Sequence, residues 1–369
     1  MLKVLLLSAY HARSHAYWCE GLQQHFPEYR WQILHLPARY FAWRVRGNPL
    51  SWYQQPELSQ SYDLIVATSM VDLATLRGLH PQLSKIPTLL YFHENQFAYP
   101  GNADSNSVLE AQMVSMYSAM SADTVLFNSA YNRDTWFAGL DALLSKLPDH
   151  KPDGLIEKLR KKSACLPVPL ADDVLKANAS QRENNLLNIV WNHRWEYDKG
   201  PSQLLQFVKV LPQERQICFH IIGQSFRRAP AEFEALKIEL NKRNGLGRWG
   251  FVENRQEYLQ LLAKCDIALS TALHDFQGLA LMEAVASGCK PLVPDRLAYR
   301  EYIPESFRYP SLPEKPEEEA QAAVEQLEVA INTDFDPQLS EVWRWAAQRP
   351  AYREVFESLA ALEVSCAAR

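Results

Sequence analysis

Two acidic residues with a glycine between them form the strongest chemical signal in this 369-residue chain. Asp275 and Glu283 are separated by seven residues, and Gly278 lies between them. The apolar pattern puts Asp275 in a loop after a strand and Glu283 just inside the next helix. The free N–H groups of Gly278 and Leu279 at the start of that helix would face an anion. The spacing therefore predicts a site for phosphates and sugar hydroxyls, although an ordinary strand–loop–helix unit with two chance acids has the same pattern.

A second segment carries two cations after another predicted strand. Arg194 and Lys199 are five positions apart in the loop after 187–191, so both can converge on one diphosphate. When a nucleoside diphosphate leaves a sugar, its negative charge grows, and cations placed there stabilise the transition state more than the ground state. A metal ion could do the same, but the Asp-x-Asp string at 334–336 lies in a Pro-flanked part of the tail. We therefore expect no metal cofactor; two solvated surface cations are the alternative interpretation.

Polar residues also follow two strands in the first half of the chain. The strand at 88–92 runs directly into His93, Glu94 and Asn95, at the strand end where open α/β sheets bind ligands. Three polar groups in a row at such an edge favour a functional role over a satisfied core histidine. The polar residues after the first strand, expected to line the same cleft, are Ser14 and His15.

Three arginines alternate with aromatic residues over 39–46. A net charge of −5 excludes a basic footprint for nucleic acid over the whole chain. A local run of cations and aromatics can still contact RNA, because arginines neutralise phosphates and aromatic rings stack on bases. The expected phosphate contacts are Arg39, Arg44 and Arg46.

Apolar runs alternate with amphipathic stretches along most of the chain, which predicts parallel sheets with crossover helices. The predicted strands are 3–8, 31–36, 64–68, 88–92, 124–127 and 164–168, then 187–191, 217–222, 248–251, 267–270 and 290–293. The predicted helices are 16–25, 108–121, 130–140, 201–211, 231–243, 255–263 and 279–287. Two such α/β sets predict two Rossmann-like, doubly wound lobes that face each other across a cleft.

The expected boundaries follow from where the apolar pattern stops and restarts. They are 1–170 for an acceptor-side lobe, 171–187 for a linker, 188–312 for a nucleotide-sugar lobe and 313–369 for a helical tail. The tail has no sheet of its own, so we expect it to pack along the back and to cross to the first lobe.

Composition excludes several classes of protein. Hydrophobic residues make up 47% of the chain and charged residues 22%, as in ordinary globular proteins. No apolar run approaches the roughly 20 residues that span a bilayer. The apolar start is too short for a signal peptide and lacks a cleavage site, so a buried first strand is the better interpretation. Six cysteines without paired short spacing indicate reduced core residues and a cytoplasmic location.

The paired acids resemble the motif of retaining GT-B glycosyltransferases of the glycogen-synthase and mannosyltransferase type. Members of that family normally carry Glu at both positions, whereas this chain has Asp275 at the first. Within the family, several strings together resemble the queuosine-tRNA mannosyltransferases, and the resemblance covers nearly all of 1–305. These strings are Ser14-His15, the Arg-aromatic run, His93-Glu94-Asn95-Gln96, the segment 192–199 and His274-Asp275 with Gly278.

The resemblance implies transfer of mannose from GDP-mannose to the cyclopentenediol of queuosine in tRNA. Arg194 and Lys199 would clamp the pyrophosphate, Asp275 would orient the sugar and Glu283 would bind ribose, while His93 would lie beside the reacting carbon. Other donor contacts implied are Gly223, Gln224, Val252, Gly278 and Leu279. Acceptor contacts implied are Ser14, His15, Glu94, Asn95, Arg44 and Arg46. Because no segment offers a nucleophile for double displacement, we expect front-face attack, in which the departing phosphate takes the acceptor proton.

Three other functions compete with this interpretation. A small glycan or a lipid-linked acceptor would suit the modest overall charge better than tRNA. A non-catalytic sugar-nucleotide or RNA-binding protein could share the fold, and its best support is Asp275 in place of Glu together with Ala12 and Arg13 in the first loop. A dehydrogenase with NAD is excluded because no GxGxxG follows either first strand.

Overall fold

The chain forms two compact units, each with its own parallel sheet. The computed structural model describes residues 1–98, 105–174, 186–213, 215–225 and 229–367. The first unit consists of Met1–Pro169 with Trp345–Arg369, and the second of Leu170–Arg344. Of the predicted linker, residues 175–185 lie outside the described residues. In the described part of the chain, no helix is both long and apolar enough to cross a membrane.

The first unit is built on six parallel strands in the order β2-β1-β3-β4-β5-β6. The strands are β1 (Lys3–His11), β2 (Arg30–Pro37), β3 (Leu64–Thr68), β4 (Thr88–Phe92), β5 (Thr124–Phe127) and β6 (Ser163–Cys165). The helices are α1 (Arg13–His25), α2 (Phe41–Trp52), α3 (Leu73–Leu79), α4 (Ser105–Ser121), α5 (Ala130–Lys146) and α6 (Leu155–Lys161). Every residue of β3 and β4 is buried, as expected for continuous apolar strands inside a parallel sheet.

The second unit has six parallel strands in the order β12-β11-β10-β7-β8-β9. The strands are β7 (Leu187–Trp191), β8 (Ile217–Ile222), β9 (Leu246–Gly250), β10 (Ile267–Leu269), β11 (Lys290–Pro294) and β12 (Arg308–Tyr309). The helices are α7 (Pro201–Val210), α8 (Glu232–Lys242), α9 (Arg255–Lys264), α10 (Leu279–Ala286), α11 (Tyr299–Tyr302) and α12 (Pro316–Asn332). The strand order reverses between β7 and β10, which is where doubly wound sheets bind ligands.

Helix α2 was not predicted from the sequence, because a proline interrupts its pattern. Pro49 has no N–H to bond the carbonyl oxygen of Val45. The side-chain amide of Asn48 donates to that oxygen instead, at 3.0 Å, so the helix continues through the proline. Tyr40, just before the helix, has a φ of 55°. Local side-chain bonding therefore maintains a helix that periodicity alone does not indicate.

The tail, expected as one helical region over 313–369, divides between the two units. Helix α12 packs on α7 and β11 in the second unit. Helix α13 (Trp345–Ala367) packs in the first unit, where the Trp345 ring stacks on His25 with centroids 4.6 Å apart. Tyr352 accepts a hydrogen bond from Trp18 Nε1 at 3.0 Å and donates one to Pro167 O at 3.0 Å. The buried aromatic rings of α13 therefore make it part of the first core.

Candidate active site

The loops that follow β7 and β10 are bonded directly to each other. The carbonyl oxygen of Asp198 accepts hydrogen bonds from the backbone N–H groups of Leu273 and His274, both at 2.9 Å. Gly200 has a φ of 67°, and a Cβ at this position would lie 2.1 Å from the carbonyl oxygen of Thr271. Only glycine fits this approach, so the segment that carries the predicted cations is held against the segment that carries the predicted acid.

Lys199 is buried in this junction, with 8% of its surface exposed. Its Nζ donates to the carbonyl oxygen of His274 at 2.7 Å and lies 3.2 Å from Asp198 Oδ2 and 3.6 Å from Asp275 Oδ2. Burial alone would lower the pKa of the ammonium group, but the carboxylates of Asp275 and Asp198 hold that pKa above its usual value. Lys199 is therefore a fixed positive charge at neutral pH.

Arg194 also lies near the carboxylate of Asp198. Its guanidinium lies 2.6 Å from Glu196 Oε2 and 3.9 Å from Asp198 Oδ2, and about half of the side chain is exposed. Arg194 and Lys199 therefore converge on one oxygen of Asp198. Both cations are held in place by carboxylates of this site, and their contact with a diphosphate stays a prediction.

Asp275 accepts a hydrogen bond just before helix α10 and also pairs with Lys199. Its Oδ1 accepts from the N–H of Gly278 at 3.0 Å, and its Oδ2 accepts from the Tyr299 hydroxyl at 3.3 Å. Burial would raise the pKa of this carboxyl, but Lys199 above all keeps it below its usual value. The N–H of Gly278 was expected to face a bound anion. It donates to Asp275 instead.

Both carboxylate oxygens of Glu283 bind side chains of helix α9. Arg255 lies 2.6 Å from Oε1, and the Tyr258 hydroxyl donates to Oε2 at 3.1 Å. Arg255 also binds both oxygens of Asp173, each at 3.0 Å. Sequence reasoning missed Arg255 and Tyr258, since both lie on α9 and only folding brings that helix beside α10. The arrangement fixes the orientation of Glu283.

The implied donor contacts Gly223, Gln224 and Val252 lie just after the ends of β8 and β9. Gly223 has a φ of 153°, and a Cβ there would be 1.8 Å from the carbonyl oxygen of His193. The carbonyl oxygen of Gln224 accepts from the N–H of Trp195 at 2.9 Å. Val252 is buried, with 6% exposed. Gly223 and Gln224 are therefore packed directly against the loop that carries Arg194.

In the first unit, the residues after β1 and β4 form a histidine pair. The rings of His15 and His93 stack with centroids 4.2 Å apart, and His15 Nε2 lies 3.0 Å from Glu94 Oε2. Burial, followed by the nearby His15 and His11, holds the pKa of His93 well below its usual value. Among the described residues, His93 Nε2 has no hydrogen-bond partner. The pair therefore offers a neutral imidazole with an open nitrogen.

Asn95, a predicted acceptor contact, has a structural role within the first unit. Its amide nitrogen donates to the backbone oxygen and side-chain oxygen of Asn132 and to Thr135 Oγ1, at 2.9–3.0 Å. Its amide oxygen accepts from the N–H groups of Phe97 and Ala98. Both ends of the amide are thus used to shape the loop after β4, and a contact with acceptor stays a prediction.

The arginines of the aromatic run differ in exposure. Arg44 is 8% exposed, and its Nε donates to Pro37 O at 3.4 Å. It was predicted to present a cation at the surface, but it is buried. Arg39 and Arg46 are exposed, although Arg46 pairs with Asp72 at 2.6 Å. The exposed aromatic residues of this surface are Tyr40 at 70%, Phe41 at 38% and Trp43 at 50%. Ser14 is exposed on the first turn of α1.

Within the described ranges, no group of three or more His, Cys, Asp or Glu side chains is placed to hold a metal ion. The expectation that the reaction needs no metal stays a prediction.

Both halves of the chain match known families of proteins. Residues 3–170 match the family described as tRNA-queuosine alpha-mannosyltransferase N-terminal, and residues 176–347 match glycosyl transferases group 1. A tRNA-queuosine alpha-mannosyltransferase from Drosophila melanogaster is 32% identical over 316 residues, which cover 83% of each chain. The resemblance inferred from the sequence motifs is therefore confirmed.

Solved structures of glycosyltransferases share the fold. HepE from Anabaena in complex with UDP and glucose has a TM-score of 0.68 at 14% identity, covering 97% of this chain and 100% of that one. Sucrose-phosphate synthase from Thermosynechococcus elongatus has a TM-score of 0.71 at 13% identity, covering 98% and 100%. With the two parallel sheets, these similarities confirm the predicted GT-B fold. The chain is a glycosyltransferase that belongs to the tRNA-queuosine alpha-mannosyltransferase family.

Proposed function

We propose that this chain transfers mannose from GDP-mannose to queuosine in tRNA, with retention of configuration and without a metal ion. The observation that carries the donor half is the convergence of Arg194 and Lys199 on Asp198, beside Asp275. Fixed positive charge at that point serves a leaving diphosphate. The acceptor half rests on the relative from Drosophila melanogaster, whose name specifies queuosine in tRNA.

The second unit holds the donor in this proposal. The diphosphate binds the half-exposed guanidinium of Arg194 and the ammonium of Lys199. The ionised carboxylate of Asp275 accepts hydrogen bonds from sugar hydroxyls, and Glu283 accepts them from ribose. Because Arg255 and Tyr258 fix the orientation of Glu283, little freedom is lost when ribose binds.

The chemical step is a front-face substitution at the anomeric carbon. The acceptor hydroxyl forms a bond to that carbon on the face from which the phosphate leaves. The bond between carbon and phosphate oxygen breaks, and its electron pair stays on the nucleoside diphosphate. The departing phosphate takes the hydroxyl proton, so the products are α-mannosyl-queuosine and GDP. Lys199 and Arg194 stabilise the growing charge of the diphosphate.

The first unit supplies the acceptor contacts. The neutral imidazole of His93 has an open nitrogen, and the His15–Glu94 pair stands next to it, so this cluster can bind the hydroxyls of a cyclopentenediol. The placement of His93 beside the reacting sugar carbon rests on the family resemblance. In this proposal, Arg39 and Arg46, which are exposed on the surface at the start of α2, contact RNA phosphates.

A reaction with defined tRNA tests the proposal. The chain is incubated with GDP-mannose and total tRNA, and digested nucleosides are analysed by mass spectrometry. We expect a hexose on queuosine only, and no product with tRNA that lacks queuosine or with UDP-glucose as donor. Hydrolysis of GDP-mannose without a tRNA product would favour a small glycan or lipid-linked acceptor. Absence of both hydrolysis and transfer would favour a non-catalytic binding protein.

A further inference from the structure

His193, in the loop between Trp191 and Arg194, is a buried residue without an assigned role so far. Its side chain lies edge-on to the Trp191 ring, with centroids 5.1 Å apart, and the residue is 4% exposed. Its Nε2 has no hydrogen-bond partner among the described residues. Buried side-chain nitrogens are nearly always hydrogen-bonded, so an unpaired one in the loop of a proposed ligand site is a candidate contact for that ligand.

A partly buried histidine of the same unit, His220, shows what a purely structural role looks like here. His220 Nε2 lies 3.4 Å from Asn188 Oδ1, and its Nδ1 accepts from the N–H of Arg248 at 3.0 Å. Both ring nitrogens of His220 are therefore bonded within the fold. His193 differs because its Nε2 is left without a partner although the residue is more deeply buried.

The charges around His193 indicate what kind of group would bind there. The charged residues whose electrostatic interactions shift the pKa of the imidazole are Lys199, Asp275, Asp198 and Arg194. Burial and then Lys199 lower the pKa of His193 to about 4, so the ring is neutral at pH 7 and carries one N–H donor. His193 directly precedes Arg194 and shares its loop with Lys199, the two cations that the proposed function assigns to the diphosphate. A neutral N–H donor in that loop can add a hydrogen bond to the same anion. Lys199 of the same loop lies 3.6 Å from Asp275, the residue assigned to the sugar, which favours the β-phosphate over the α-phosphate as the partner of His193.

We infer that His193 Nε2 donates a hydrogen bond to the β-phosphate of the nucleotide-sugar donor, the phosphate that carries the sugar until transfer. This inference rests on the proposed function, because it requires that Arg194 and Lys199 hold the diphosphate. A neutral donor adds a bond without adding a third positive charge to the site. The bond strengthens as charge grows on that phosphate, so His193 assists the chemical step as well as binding. Gly223 keeps this loop in place, because its missing Cβ leaves room for the carbonyl oxygen of His193.

The test compares a nucleotide that has the β-phosphate with one that lacks it. Dissociation constants for GDP and GMP are measured by calorimetry for the wild type, His193→Phe, His193→Leu, His193→Gln and the control His220→Phe. We expect both apolar variants of His193 to weaken GDP binding about tenfold, the effect of one hydrogen bond to a charged group. GMP binding should stay within about threefold, and His193→Gln should retain part of the GDP affinity because its amide can donate. The control should leave the ratio of GDP to GMP affinity unchanged.

The outcomes separate this inference from the proposed function. Equal GDP affinity in the wild type and in the apolar variants would overturn the role of His193, and so would parallel losses for GDP and GMP, which indicate a structural role. Two removal variants are used so that the result does not depend on one of them folding. A wild type that binds neither GDP nor UDP would overturn the donor assignment and this inference together. A wild type that shows the expected ratios but transfers no hexose to tRNA would overturn the proposed function alone.

Discussion

Lys199→Ala removes the buried ammonium group on which the donor assignment depends. The variant loses a donor to His274 O at 2.7 Å and the partner of two carboxylates, Asp198 at 3.2 Å and Asp275 at 3.6 Å. Loss of one preorganised donor to a developing charge costs about 3 kcal/mol in the transition state. At about 1.4 kcal/mol for each factor of ten, kcat/KM should fall roughly 150-fold. Initial rates of hexose transfer to queuosine tRNA at varied GDP-mannose measure this value.

The same substitution also affects stability, so a control must separate the two effects. Removing one partner of a buried ion pair can cost about 3–5 kcal/mol of unfolding free energy. Lys290 serves as the control: this partly buried lysine donates through Nζ to Ile331 O and Thr333 O at 2.7 and 2.8 Å, and it has no assigned role in the reaction. Lys290→Ala should lower the unfolding free energy measured in urea with little change in kcat/KM. Turnover of Lys199→Ala within about threefold of wild type would refute the assignment of the cations to the diphosphate.

Three further predictions concern pH, salt and backbone packing. Burial lowers the pKa of His193 from 6.5 to about 4, so between these values the unfolded chain binds more protons and stability falls as pH falls. From pH 7 to pH 5 this group should cost about 2 kcal/mol of unfolding free energy, measured by urea titrations at both pH values. His193→Gln should remove this loss, and an equal loss in the variant and the wild type would contradict the burial argument. Arg39→Gln and Arg46→Gln should each reduce the salt slope of tRNA binding by about one, while the buried Arg44→Gln should not; equal effects of all three would remove the RNA surface from the proposal. Gly223→Ala, whose Cβ would lie 1.8 Å from the carbonyl oxygen of His193, should weaken GDP binding by about tenfold or more in calorimetry, and wild-type affinity would show that the loop adapts freely.

Much of the fold follows from local patterns. The strands at Leu64–Thr68, Thr88–Phe92 and Leu187–Trp191 have the predicted bounds, because continuous apolar runs identify strands buried inside parallel sheets. The helix at Phe41–Trp52 was missed because its proline breaks the pattern that would reveal it. The strand at Ser163–Cys165 ends earlier than the predicted 164–168.

The sequence by itself determined the residue types at the strand ends and the family to which they belong, since motifs at 192–199 and 274–283 are properties of short segments. Only the tertiary structure decided which of these groups meet. Lys199 pairs with Asp275 because β7 and β10, far apart in the chain, are neighbours in the sheet. Arg44 is buried while Arg46 is exposed because packing, and not composition, determines which face of α2 is covered. Spatial neighbours depend on strand order and side-chain packing, which a one-dimensional pattern does not specify.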